Sequence, residues 1–84
     1  MKKIAIIAAV LDNPAVSQKR FNEVISIHKH LVRGRMGIPF VEEGIAVVSV
    51  TVMGNMDEIN ALTGRLGKIE HVTIKTAVSN KQID

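Results

Sequence analysis

The 84-residue sequence contains no cysteine, no tryptophan and no tyrosine. Without cysteine there is no disulfide scaffold, no thiolate metal site and no cysteine nucleophile. The only aromatic residues are Phe21 and Phe40. The core must therefore be aliphatic. No apolar run approaches the roughly 20 residues that span a bilayer. No block of like charge is present either, although Lys and Arg (11) outnumber Asp and Glu (8) for a net charge of +3. Scattered cations of this kind read as a solvated surface rather than a nucleic-acid footprint. Proline occurs only at positions 14 and 39.

What is abundant is aliphatic side chain: 46% of the residues are hydrophobic. A chain this short is one domain, spanning 1–84, and buries only about 60–65% of its unfolded surface. That much apolar residue implies efficient packing or apolar surface turned toward another chain. The start, Lys2-Lys3 followed by Ile4–Leu11, resembles a signal peptide only superficially. The run is short, ends at Asp12-Asn13-Pro14 and lacks a small-x-small site, so a buried strand is expected and the protein is read as cytoplasmic.

The spacing predicts six elements. Ile4–Leu11 is a strand apolar on both faces. Asn13 is placed as the cap and Pro14 as the first residue of a helix over about 14–30. Its inner stripe is Phe21, Val24, Ile25, His28 and Leu31. Leu31–Met36 reads as an edge strand, and Gly37, Pro39 and Gly44 mark a loop. Ile45–Met53 is the strongest strand, rich in β-branched residues. Asn55 caps a second helix with Glu58 in a capping box, Ile59, Leu62, Thr63 and Leu66 inward, and Gly67 just past its end. His71–Val78 is a half-exposed strand, and 79–84 a polar tail.

The order β-α-β-β-α-β carries a weak internal repeat at constant offset. Ile4 matches Ile45, Phe21 matches Leu62, Ile25 matches Leu66 and Leu31 matches Val72. Two split βαβ units make a ferredoxin-like α+β fold: a four-stranded antiparallel sheet with two helices on one face. Right-handed crossovers put the first and third strands in the middle. Those are the two strands apolar on both faces. The sheet's far side is therefore expected to be apolar and covered in a homo-oligomer, a dimer or tetramer, with Ile4, Ile6, Ile45, Val47, Val48 and Val50 as candidate interface residues.

Most chemistries of this topology are excluded by residue type. Base-stacking aromatics are missing from the central strands. A Cys-x-x-Cys loop is absent, and the loop after the first strand has no arginine or glycine cradle. His28 and His30 would point roughly 200° apart on a helix, so they do not form a metal pair there. Glu42-Glu43 reads as a solvated loop and Asp57-Glu58 as helix N-terminal charge. No catalytic constellation, cofactor or metal site is assigned. The unusual segment is Arg33-Gly34-Arg35-Met36-Gly37-Ile38-Pro39-Phe40. Arg33, Gly34, Arg35, Met36, Gly37 and Pro39 are the candidate ligand-binding residues: Arg35 would hold an anion through two hydrogen bonds, and Gly37 would allow close backbone approach.

Gly34–Phe40, Gly44-Ile45 and Asp57–Lys68 together resemble the iron-only hydrogenase system regulators, and the resemblance runs from Ile4 to about Ala77. That family looks like a free-standing ACT-like domain, similar to the C-terminal domain of nickel-responsive transcriptional regulators. The resemblance implies a ferredoxin-like fold, oligomerisation, and a regulatory role in transcription linked to hydrogenase maturation. Nickel-responsive domains use a cysteine that this chain lacks, so no nickel site is carried over. ACT domains often have a glycine in the loop after strand one, where this chain has Asp12-Asn13-Pro14. The six elements leave no helix-turn-helix, so direct sequence-specific DNA binding by this chain alone is not expected. The expected partners are further copies of the chain and a small-molecule effector, with no membrane. The alternatives are a small oligomeric enzyme of ferredoxin-like fold and a weak metal binder through His28, His30 or His71.

Overall fold

The computed structural model describes all 84 residues, Met1 to Asp84. The elements run β1 (Lys2–Asp12), α1 (Pro14–Ile27), a single 3-10 turn (Lys29–Leu31), β2 (Val32–Phe40), β3 (Ile45–Gly54), α2 (Met56–Gly67) and β4 (Val72–Ile83). The sheet order is β2-β3-β1-β4, with every neighbouring pair antiparallel. The two doubly apolar strands, β1 and β3, are central, as their composition requires. No helix is long and apolar enough to cross a membrane.

Period-two alternation divides each strand into two sets. Ala5, Ile7, Ala9 and Leu11 of β1, with Val48, Val50 and Val52 of β3, face the helices. They pack against Phe21, Val24 and Ile25 of α1, against Leu31, and against Ile59, Leu62 and Leu66 of α2. Fourteen aliphatic or phenyl side chains thus form one core on one side of the sheet. The pairing register puts Ile4, Ile6, Met36, Ile38, Val47 and Met53 on the other side. There Ile6 is 51% exposed and Ile38 49%.

That division corrects the expected interface set. Val48 and Val50 are core residues with 3% and 0% exposure, while Ile4 and Ile6 are exposed and Ile45 and Val47 half-buried. The expected set mixed the two sides of β3: Val47 and Val48 are adjacent and must point oppositely, and the polar Ser49 and Thr51 mark the outward set that contains Val47.

Both helices begin where expected, but the bonding at the start of α1 and the ends of both helices differ. Asn13 adopts φ 49°, ψ 63° and its side chain makes no cap. Its carbonyl accepts from Val16 N (2.9 Å) and Ser17 N (3.1 Å) instead. The buried Ser17 hydroxyl donates back to the Asp12 carbonyl at 3.0 Å, fastening the start of α1 to the end of β1. α1 stops at Ile27, not at 30, because the chain turns through the 3-10 segment to drop Leu31 into the core. In α2 the capping box forms as expected: Glu58 N donates to Asn55 Oδ1 (2.8 Å) and Asn55 N to Glu58 Oε1 (3.0 Å). Gly67 is the last helical residue rather than the one beyond, and Lys68 closes the helix in right-handed conformation. Thr63 sits half-buried on the flank of the inner stripe.

Two strands are longer than their side chains suggest. β2 continues through Gly37, Ile38 and Pro39 to Phe40, so the expected loop is strand. An edge position tolerates this, because a proline there need not donate to a neighbour. The turn falls at 41–44, where Gly44 has φ 68°. β4 incorporates the polar tail to Ile83, pairing Lys2 with Ile83 and Lys3 with Gln82 beyond a register shift. The backbone of β1 needs a partner along that edge whatever the side chains are.

Glycine has a steric role at Gly54. A Cβ there would lie 2.7 Å from Leu31 Cδ2 and 3.1 Å from Glu58 Oε1. The missing side chain lets the 3-10 turn and the cap of α2 close over the end of β3.

Candidate functional site

The β2–β3 hairpin carries its helix-facing side past the first turns of α1, and the gap between them is a cleft of about 410 Å³. Pro14 and Gln18 of α1 form one wall. Arg35, Gly37 and Pro39 of β2 form another, and Gly44, Ala46 and Val48 complete it. The volume lies in the range of small-molecule sites.

Arg35 is the one charged residue in the lining. Its Nη2 donates to Asn22 Oδ1 at 2.7 Å, and its guanidinium carbon lies 5.7 Å from the centroid of the Phe21 ring. Phe21 is fully buried, so the ring is a fixed platform. A cation over an aromatic face is attracted by the ring quadrupole. Arg35 has no carboxylate partner; Arg20 pairs with Glu23, and the other carboxylate contacts are the imidazoles His30 with Glu58 and His71 with Glu70. Guanidinium carries five N–H donors, so most of its capacity remains free. Gly37 keeps the strand side of the cleft open: a Cβ there would meet nothing within 4 Å.

The glycine- and arginine-rich segment is therefore divided between faces. Arg35, Gly37 and Pro39 line the cleft. Gly34 and Met36 belong, by register with Thr51 and Ser49, to the opposite face, and Arg33 sits in the bulge between Val32 and Gly34. Sequence reasoning missed Gln18, Val41, Ala46 and Val48. Pro14 and Gly44 were visible only as a helix start and a turn. No periodicity signals a residue whose relevance comes from a neighbouring element.

The histidines are not gathered. His28 and His30 stack at 6.5 Å between centroids near the start of α2, where His30 Nε2 lies 3.6 Å from Glu58 Oε2. His71 precedes β4 at the other end of the sheet, with φ 70° and its carbonyl accepting from Asp12 N at 2.7 Å. No group of three His, Asp or Glu side chains is placed to hold a metal ion.

His28 closes α1, and its buried Nε2 has no hydrogen-bond partner. Burial lowers its pKa below the ordinary 6.5, and the Arg65 and His30 charges lower it further. The unfolded chain then binds more protons than the folded one just below pH 6.5, so stability rises with pH through that window and is lost on acidification. The thermal midpoint is expected to drop as pH falls below 6.5. His28→Gln removes this proton linkage, so its midpoint relative to wild type should improve steadily across the same range. Parallel curves for the two proteins would exclude the linkage.

A second depression of about 280 Å³ lies between α1 and α2, among Ser17, Arg20, Arg65, Lys68 and Glu70. It is shallow and charged, with Arg20 tied to Glu23 at 3.3 Å.

A comparison with curated proteins finds no relative. Among solved structures, the chain is similar to uncharacterized protein TM1266 from Thermotoga maritima, with a TM-score of 0.89 and 28% identity over 93% of this chain and 98% of that one. The family model TM1266-like, whose name suggests a regulator of the iron-only hydrogenase system, matches residues 3–76. That match takes in both central strands, both helices and the hairpin that bounds the cleft. The chain belongs to the TM1266-like iron-only hydrogenase system regulator family.

Proposed function

We propose that this chain is a non-enzymatic, oligomeric regulatory domain that senses a small effector and acts in transcriptional control linked to iron-only hydrogenase maturation. The observation that carries the sensing role is the cleft beside Arg35. It offers a held cation and an apolar wall, and its lining contains no His, Ser, Thr, Asp, Glu or Lys to serve as nucleophile or proton carrier. Such a lining suits binding rather than turnover. The family name supports the hydrogenase context.

Oligomerisation is supported by the outer sheet face. Ile4, Ile6, Met36, Ile38 and Phe40 all stand exposed there, beside half-buried Val47 and Met53. An apolar sheet face of this extent is a typical interaction surface. The four strands and two helices are committed to the sheet and its helical layer, so direct sequence-specific DNA binding by these residues alone is not part of the proposal.

Native mass spectrometry of the protein purified from its own cells tests both parts together. The expected spectrum shows a multiple of the subunit mass with a small retained ligand, and the ligand is lost in Arg35→Ala while the subunit count is kept. A bare monomer would overturn the proposal.

A further inference from the structure

The charges around the cleft narrow its ligand. We infer that the cleft selects an organic acid without an amine: a carboxylate on Arg35 joined to a compact aliphatic body between Pro14, Pro39, Ala46 and Val48. The inference rests on the effector-sensing reading above and specifies its ligand class.

A carboxylate matches the guanidinium fork and forms paired, charge-assisted hydrogen bonds. Arg35 is prepared for this. One hydrogen bond, to Asn22 at 2.7 Å, and the Phe21 ring beneath hold it in place, so little rotamer freedom is lost on binding. An inorganic anion would satisfy the cation and leave Pro14, Pro39 and Ala46 uncovered. The apolar walls therefore require a ligand with an apolar body.

The same lining discriminates against amino acids. An ammonium taken into the cleft needs an anionic partner, and none of the lining side chains is a carboxylate. The Gln18 amide is the only neutral polar side chain present. An α-amino acid would carry its ammonium close to Arg35, where like charge and lost hydration both oppose it. The corresponding acid without the amine meets neither penalty.

The test is titration of isotope-labelled protein, followed through backbone amide resonances, with isocaproate, leucine, isoamylamine and inorganic phosphate as separate probes. Isocaproate should shift the amides of Gly37, Gly44, Ala46 and Val48, and bind at least about tenfold more tightly than leucine. Isoamylamine and phosphate should leave those amides in place. Arg35→Gln should weaken isocaproate by about tenfold or more. Gly37→Val puts a side chain into open space rather than into the core, so it should keep the folded spectrum and abolish binding. Leucine or isoamylamine binding as well as isocaproate would overturn the acid selectivity while leaving the cleft as an effector site. Phosphate binding as well as isocaproate would overturn the requirement for an apolar body. If none of the four probes moves the cleft amides, the ligand class fails, while the effector-sensing reading stands or falls on the ligand retained in native mass spectrometry.

Discussion

Ile6→Asp combined with Ile38→Asp is expected to convert the proposed oligomer into folded monomers. The two residues stand on β1 and β2, on the outer side of the sheet, at 51% and 49% exposure. Neither belongs to the core, which lies wholly on the helix side. In an isolated chain the new carboxylates remain in water and cost little. In an interface they would be desolvated without partners, at several kcal/mol for each buried charge. Two such charges on each subunit should weaken association by more than about a thousandfold. Size-exclusion chromatography with light scattering should report the monomer mass, and circular dichroism an unchanged helix and sheet spectrum. A variant that keeps the wild-type mass would overturn this face as the proposed interface.

Phe21→Ala is expected to have the largest effect on stability. Phe21 is the largest fully buried side chain, in a core that is otherwise aliphatic. Truncating a buried phenylalanine costs about 3–5 kcal/mol, from lost transfer energy and the cavity left behind. A domain this small has about 5–15 kcal/mol in total. At about 4–8 °C per kcal/mol, the thermal midpoint should fall by at least about 12 °C. The same change removes the platform under Arg35. Phe21→Leu keeps most of the volume and loses the ring, so it should cost less stability while still loosening Arg35. A midpoint for Phe21→Ala within a few degrees of wild type would show that the core closes over the gap.

How much was legible in advance varies from residue to residue. The capping box of α2 is local: Asn55 and Glu58 are three positions apart and satisfy each other's backbone amides wherever the helix lies. The start of α1 falls where expected, with Asn13 before the helix and Pro14 first in it, and only the capping hydrogen bond is absent. Asn13 has the right chemistry for a cap, yet the neighbouring strand end takes up the backbone, and Ser17 closes the junction from inside the helix. Gly37–Pro39 has loop composition and strand geometry, because an edge strand asks for backbone pairing on one side only. The polar tail joins β4 by the same rule. The cleft was half visible. Arg35 and Gly37 stood out by type, whereas Gln18 and Ala46 carry no signal until α1 and β3 are set beside β2.

The sequence by itself determined the order of elements, the pair of central strands and the resemblance that the family match upholds. Hydrophobic period, turn residues and right-handed crossovers are local or topological properties, and they suffice for that. Tertiary structure alone decided which apolar set of β1 is core, which residues of the arginine-glycine segment share a face, and that a cleft exists at all. In β1 both alternating sets are apolar, so alternation separates them without ranking them, and only the position of the helices does. Arg35 gains its setting from Phe21 and Asn22 on another element, and a register shift between Val32 and Gly34 sets Arg35 rather than Met36 on the helix side.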